Sequence, residues 1–147
     1  YAAREPFWRQ HLNFNHGTGH GVGYLGNIHE PPARFFWKMP MGTCTIPALE
    51  PGMVITDEPG IYIENSHGIR PENELLVVKD TENEYGQFLR FETLTFVPIN
   101  LDAVDPEQMT DRERRLLNAY HTQVWEKISS YLGEEEREWL KRYTREI

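Results

Sequence analysis

Apolar and polar positions alternate most cleanly between Gln87 and Ile99. Phe88, Arg90, Glu92, Leu94 and Phe96 fall on one side of an extended chain. Leu89, Phe91, Thr93, Thr95 and Val97 fall on the other, which predicts a long, well-covered strand closed by Pro98. Upstream, the apolar run Met53–Thr56 leads into Asp57-Glu58-Pro59-Gly60 and predicts a strand followed by a turn. Ile61–Glu64 predicts a short strand, Asn65-Ser66 a tight turn, Glu74–Val78 a further strand, and Asp80–Gly86 a polar hairpin connection. Pro47 to Pro51 bounds a turn, and the glycine- and histidine-rich stretch Asn13–Pro32 predicts loop with short strands. Ala2–Leu12 reads as the end of a helix with Phe7, Trp8 and Leu12 inward, provided that Pro6 sits in a first turn or at a kink.

After Asn100 the period changes. Thr110 followed by Glu113 is a capping-box pair, and Leu116, Leu117, Tyr120, Val124, Ile128 and Tyr131-Leu132 recur at helical spacing until Gly133. Glu134–Arg145 predicts a second, short helix with Trp139 and Leu140 inward, and with Glu134–Glu136 on a solvated face. The pattern therefore predicts an α+β chain: a curved, mainly antiparallel sheet followed by a helical tail.

Composition narrows the function classes. A formal net charge of -8 lacks the basic face that phosphates or an anionic membrane surface would require, so no nucleic acid or membrane partner is expected. The single cysteine, Cys44, has no intrachain partner, and no apolar run is long enough to span a bilayer. No signal peptide is visible, and a cytoplasmic protein is the expectation. The chain begins at Tyr1 inside a helical pattern, so the expected true N-terminus lies elsewhere.

Three features carry candidate chemistry: His16-Gly-Thr-Gly-His20-Gly-Val-Gly, His29-Glu30, and the carboxylates Glu58 and Glu72. Singly, each has an ordinary explanation as a solvated histidine, a turn glutamate or a flexible loop. A phosphate-binding reading of the glycines is weak because no lysine follows at the required spacing. Together they are harder to dismiss. Glu58 ends one apolar run and Glu72 immediately precedes Leu75–Val78, where a carboxylate is costly to bury unless it is paired or metal-bound. Imidazole plus carboxylate oxygen is a ligand set for Mn, Zn, Co or Fe. The helical His-Glu-x-x-His string is not present.

Four strings resemble the aminopeptidase P family in order and spacing. They are His16–Gly23, Asn27-Ile28-His29-Glu30, Glu50-Pro-Gly-Met-Val-Ile-Thr-Asp-Glu58-Pro-Gly, and Gly68-Ile-Arg70-Pro-Glu72-Asn. That family shares the pita-bread fold with methionine aminopeptidase, prolidase and creatinase. Phe91–Ile99 and the tail resemble its long, three-domain form. The resemblance implies that residues 1–100 are the C-terminal half of a pita-bread metallopeptidase domain, incomplete here, and that 101–147 is a helical extension. It implies metal ligation by His20, Glu58 and Glu72, with Glu58 also the general base for the attacking water and Glu72 bridging two ions. It implies that His16 and His29 line the substrate site and relay protons, and that Arg70 anchors a carboxylate. The implied cofactor is a pair of divalent ions, Mn foremost with Zn or Co as alternatives, about 3.5–4 Å apart in such sites. The implied substrates are peptides with proline second, and the implied assembly is a homodimer.

This chain departs from the family in three places. Pro31-Pro32 follows His29-Glu30 where glycine is usual, which implies a reshaped substrate rim. Pro71 removes a ladder N–H and predicts an edge or bulge at Glu72. The family's two aspartate ligands and a further histidine lie upstream of this stretch; Asp57 cannot replace them, because it points to the opposite side of its strand from Glu58. The expectation is an Xaa-Pro aminopeptidase whose present segment is inactive alone. The alternatives are a prolidase or creatinase-like hydrolase, or a non-catalytic binding module of the same fold.

Overall fold

A computed structural model describes residues 1–37 and 47–147; Cys44 lies outside the described residues. The chain divides into two compact units, Tyr1–Thr95 and Phe96–Ile147.

The first unit opens with helix α1 (Glu5–Arg9), which is shorter than the pattern predicts. Pro6 sits at its first turn, where a missing N–H costs nothing, and the chain leaves the helix as His11 takes φ 58°. Among the described residues seven strands follow: β1 (Gly19–Gly21), β2 (Glu30–Phe35), β3 (Val54–Asp57), β4 (Ile61–Ile63), β5 (His67–Ile69), β6 (Asn73–Asn83) and β7 (Gly86–Thr93). Five of them form one antiparallel sheet in the order β2-β1-β3-β6-β7, and β4-β5 form a separate hairpin. The turn ahead of β3 runs from Glu50 to Met53, whose N–H bonds the Glu50 carbonyl at 3.1 Å, with Gly52 at φ 94°. That conformation suits Pro51-Gly52.

Two proline effects shape the sheet. His20 pairs with Arg34, but the next residue, Gly21, pairs with Glu30, so the β1–β2 register slips opposite residues 31–33. Pro31 and Pro32 have no N–H to offer a ladder, which explains where the slip falls. The expected bulge at Glu72 is absent, because β6 begins at Asn73, two residues beyond Pro71. The missing N–H therefore lies ahead of the ladder.

The β6–β7 connection is tighter than predicted. β6 continues to Asn83 and β7 starts at Gly86, leaving a two-residue turn at Glu84-Tyr85. After a register shift between Lys79 and Glu82, pairing resumes at Glu82↔Gln87 and Asn83↔Gly86, so these polar residues join the ladder although nothing buries them. β7 is an edge strand and not well covered: Phe88 is 49% and Phe91 43% exposed. The buried apolar centre of this unit is Phe14, Ile55 and Val77.

The second unit is helical. α2 (Asp111–Ile128) begins at Thr110 with the full capping box to Glu113, and α3 (Glu134–Tyr143) begins at Gly133. Short 3-10 turns at Leu101–Ala103, Pro106–Gln108 and Ser129–Tyr131 flank them, so α2 ends at Ile128, before Gly133. Leu101, His121, Val124 and Leu140 are buried. Leu116 and Trp139, expected inward, are mostly exposed.

Candidate metal and substrate site

His20 lies in the middle of β1, in a strand built for close approach. A Cβ placed on Gly19 would stand 1.9 Å from the Thr56 carbonyl oxygen, and one on Gly21 would stand 2.4 Å from that of Glu30. Only glycine lets β1 run this near β3 and β2. The His20 N–H donates to Thr56 Oγ1 at 3.0 Å, and its ring Nδ1 lies 2.9 Å from the Gly21 carbonyl oxygen. A carbonyl can only accept, so Nδ1 donates there and Nε2 is the ring nitrogen turned toward the carboxylates. That Nε2 stands 3.3 Å from Glu58 Oε1.

Glu58 follows β3 directly, and its N–H is fixed by the Thr18 carbonyl at 2.7 Å. The Thr56 hydroxyl, two residues earlier on the same strand face, donates to Glu58 Oε1 at 3.2 Å while accepting from His20. Glu72, just ahead of β6, completes the group. One potential ligand atom from each of His20, Glu58 and Glu72 lies within 4.8 Å of the others. Arg70 Nε stands 3.8 Å from Glu58 Oε2 and 3.9 Å from Glu72 Oε2, facing both carboxylates. Arg70 and Glu72 lie outside any strand, so their convergence follows from the turn into β6.

The remaining predicted residues border the same cleft of about 560 Å³, whose lining includes His16, His20, His29, Glu58 and Arg70. The His29 ring lies 4.4 Å from that of His20. His16 Nδ1 is 2.6 Å from the Gly17 carbonyl, so its Nε2 accepts from the Tyr62 hydroxyl at 2.8 Å. Tyr62 beside Arg70, followed by the Glu58 and Glu72 carboxylates, holds the guanidinium above its ordinary pKa. Asp57 faces elsewhere, in a concavity with Thr18, Phe35, Leu75 and Phe91, where burial and then the Glu58 charge push its carboxyl up.

Sequence reasoning passed over Thr56, Tyr62 and Arg34. Thr56 was within reach, since it sits at i−2 from Glu58 and shares its face. Arg34 lines the cleft because β2 pairs it with His20 across the ladder, a register that the strand pattern did not reveal.

The donor chemistry fits a divalent cation: one imidazole nitrogen with its tautomer set by a carbonyl, and two carboxylates brought together beside a single arginine. Zn, Mn and Co all accept such ligands.

Comparison with known proteins agrees with this picture. Residues 1–79 match the model of metallopeptidase family M24, and residues 87–147 match that of the C-terminal region of peptidase M24. A probable Xaa-Pro aminopeptidase P of Ajellomyces dermatitidis is 40% identical over 99% of this chain, and aminopeptidase P2 of Arabidopsis thaliana is 43% identical over 99%. The chain spans only 24% and 20% of those proteins. The crystal structure of X-prolyl aminopeptidase from Caenorhabditis elegans, described as a cytosolic enzyme with a di-nuclear active site, superposes with TM-score 0.83 at 35% identity. The match covers 98% of this chain and 23% of that one.

Proposed function

The chain belongs to metallopeptidase family M24, and from that premise we propose that it supplies three metal ligands and the substrate-facing histidines of an Xaa-Pro aminopeptidase. The observation that carries the reading is the convergence of His20, Glu58 and Glu72 within 4.8 Å, in a cleft that His16 and His29 line. His20 through Nε2, Glu58 and Glu72 would hold the metal. A pair of divalent ions, Mn foremost, would lower the pKa of a bound water and polarise the scissile carbonyl. The two further aspartate ligands are proposed to come from another part of the protein, as the family resemblance implies.

The chain's own residues do the rest. The Glu58 carboxylate, oriented by Thr56, takes the proton of the attacking water. His29 and His16 flank the path to the scissile carbonyl and carry the proton onward to the departing proline nitrogen. Arg70 faces both Glu58 and Glu72, and its charge anchors a substrate carboxylate. A cytoplasmic setting and a dimer involving the tail belong to the same proposal. So does the inactivity of the 147-residue chain alone: three donors, two of them carboxylates, do not hold two ions.

The test is hydrolysis of an Ala-Pro peptide by the full-length protein with added Mn, Co or Zn. Release of alanine is the expected result. No turnover with any of the three would reject the enzymatic reading.

A further inference from the structure

We infer that Arg4 is a positioning residue for His16, its buried guanidinium fixing where that imidazole stands in the cleft. The side chain is 1% exposed. Burying a cation costs several kcal/mol unless its donors and charge are compensated. Among the described residues no carboxylate pairs with Arg4; its partners are oxygens of one short stretch. Nη1 donates to Asn13 Oδ1 at 2.9 Å and to the Phe14 carbonyl at 2.6 Å, and Nη2 donates to the His16 carbonyl at 2.6 Å. Its plane is enclosed by the Phe14 ring, 3.8 Å from the centroid, and the Trp37 ring at 4.6 Å. All of the cation's hydrogen bonds thus serve residues 13–16.

His16 is gripped at two points. Its carbonyl is bonded by Arg4, and its ring lies 4.8 Å from the Phe14 ring that Arg4 covers. Those contacts present Nε2 to Tyr62 and to the cleft. None of them reaches His20, Glu58 or Glu72: His20 is tied instead to Gly21 and Thr56, Glu58 to Thr56, and Glu72 faces Arg70. Losing Arg4 should therefore displace His16 and leave the metal donors in place. Lysine would keep the charge but not the flat, forked donor set that reaches three oxygens at once.

The consequence for turnover rests on His16 serving the substrate, as proposed above; the displacement of its ring does not. The experiment is a double-mutant cycle of Arg4→Met and His16→Ala in the full-length protein, with Ala-Pro peptide turnover, calorimetric Mn binding and the side-chain 15N histidine spectrum. Arg4→Met is expected to lower kcat by about tenfold or more while Mn affinity stays within about twofold, and to cost less than about twofold in a His16→Ala background. The His16 ring signals should lose the Nδ1–H pattern, and Arg4→Lys should restore only part of kcat. Fully additive losses, or His16 signals unchanged by Arg4→Met, would overturn the inference. If His16→Ala leaves kcat intact, the substrate role of His16 falls, and the ring signals still decide whether Arg4 positions it. If Arg4→Met does not fold, Arg4→Lys is read by the same two criteria.

Discussion

Thr56 joins two of the three converging donors through a single hydroxyl, accepting from the His20 backbone and donating to Glu58. Thr56→Val keeps the shape and removes both bonds. Mn affinity of the full-length protein should fall by about 10–100-fold, as is usual when a ligand's supporting hydrogen bond is lost; calorimetric titration measures it. Gly19 tests the close approach of the strands. The Cβ of Gly19→Ala would overlap the backbone oxygen of Thr56, which cannot swing aside as a side chain would. The cost should be at least about 1–3 kcal/mol, the usual toll of overpacking, read by denaturant unfolding. At this scale the convergence of the candidate residues was legible. His16, His20, His29, Glu58 and Arg70 line one cleft, and a Glu72 carboxylate oxygen lies within 4.8 Å of ligand atoms of His20 and Glu58. Tyr62 was not legible, since its bond to His16 spans 46 positions and depends on where the β4–β5 hairpin stands.

Elements were predicted best where a local rule governs them. The capping box at Thr110 starts α2 where the spacing of Thr110 and Glu113 placed it, because both reciprocal bonds form within one turn. Thr110→Ala should cost about 1 kcal/mol of stability, measured as a shift in the tail's unfolding midpoint. Prediction was poorer where neighbours decide. The β6–β7 hairpin recruits the polar residues Glu82 and Asn83 because pairing resumes past the buried segment, which hydrophobicity alone does not register. In α2 the buried faces include His121, a residue that the apolar spacing skipped. Its Nε2 accepts the Ile99 N–H at 3.1 Å, and burial, then Arg145, lowers its pKa. The folded value lies below the unfolded one, so the unfolded tail binds more protons as pH falls. Stability should therefore decline with acidification below about pH 6.5, the ordinary histidine value. Thermal unfolding from pH 7.5 to 5 checks this; His121→Gln should flatten the slope, and an unchanged slope would assign it to other groups.

For the whole molecule, the sheet is uneven in its cover. β3 and β6 carry the buried Ile55 and Val77, whereas β7 exposes Phe88, Leu89 and Phe91 along an unpaired edge. Edges of this kind associate with other chains unless something covers them. The 147-residue chain expressed alone should therefore self-associate in light scattering, and Phe88→Lys with Phe91→Glu should reduce the aggregate. A stable monomer would contradict this. The overall class, an antiparallel sheet followed by helices, was legible from the change of period near Asn100. The strand order β2-β1-β3-β6-β7 was not, because it rests on pairings between distant segments.

His20, Glu58 and Glu72 are proposed as metal ligands. Calorimetric Mn titration of the metal-stripped full-length protein, wild type beside Glu72→Gln, tests it most directly. Two ions bound by the wild type and sharply weakened binding in the variant are the expected result. Equal stoichiometry and affinity in both proteins would contradict it.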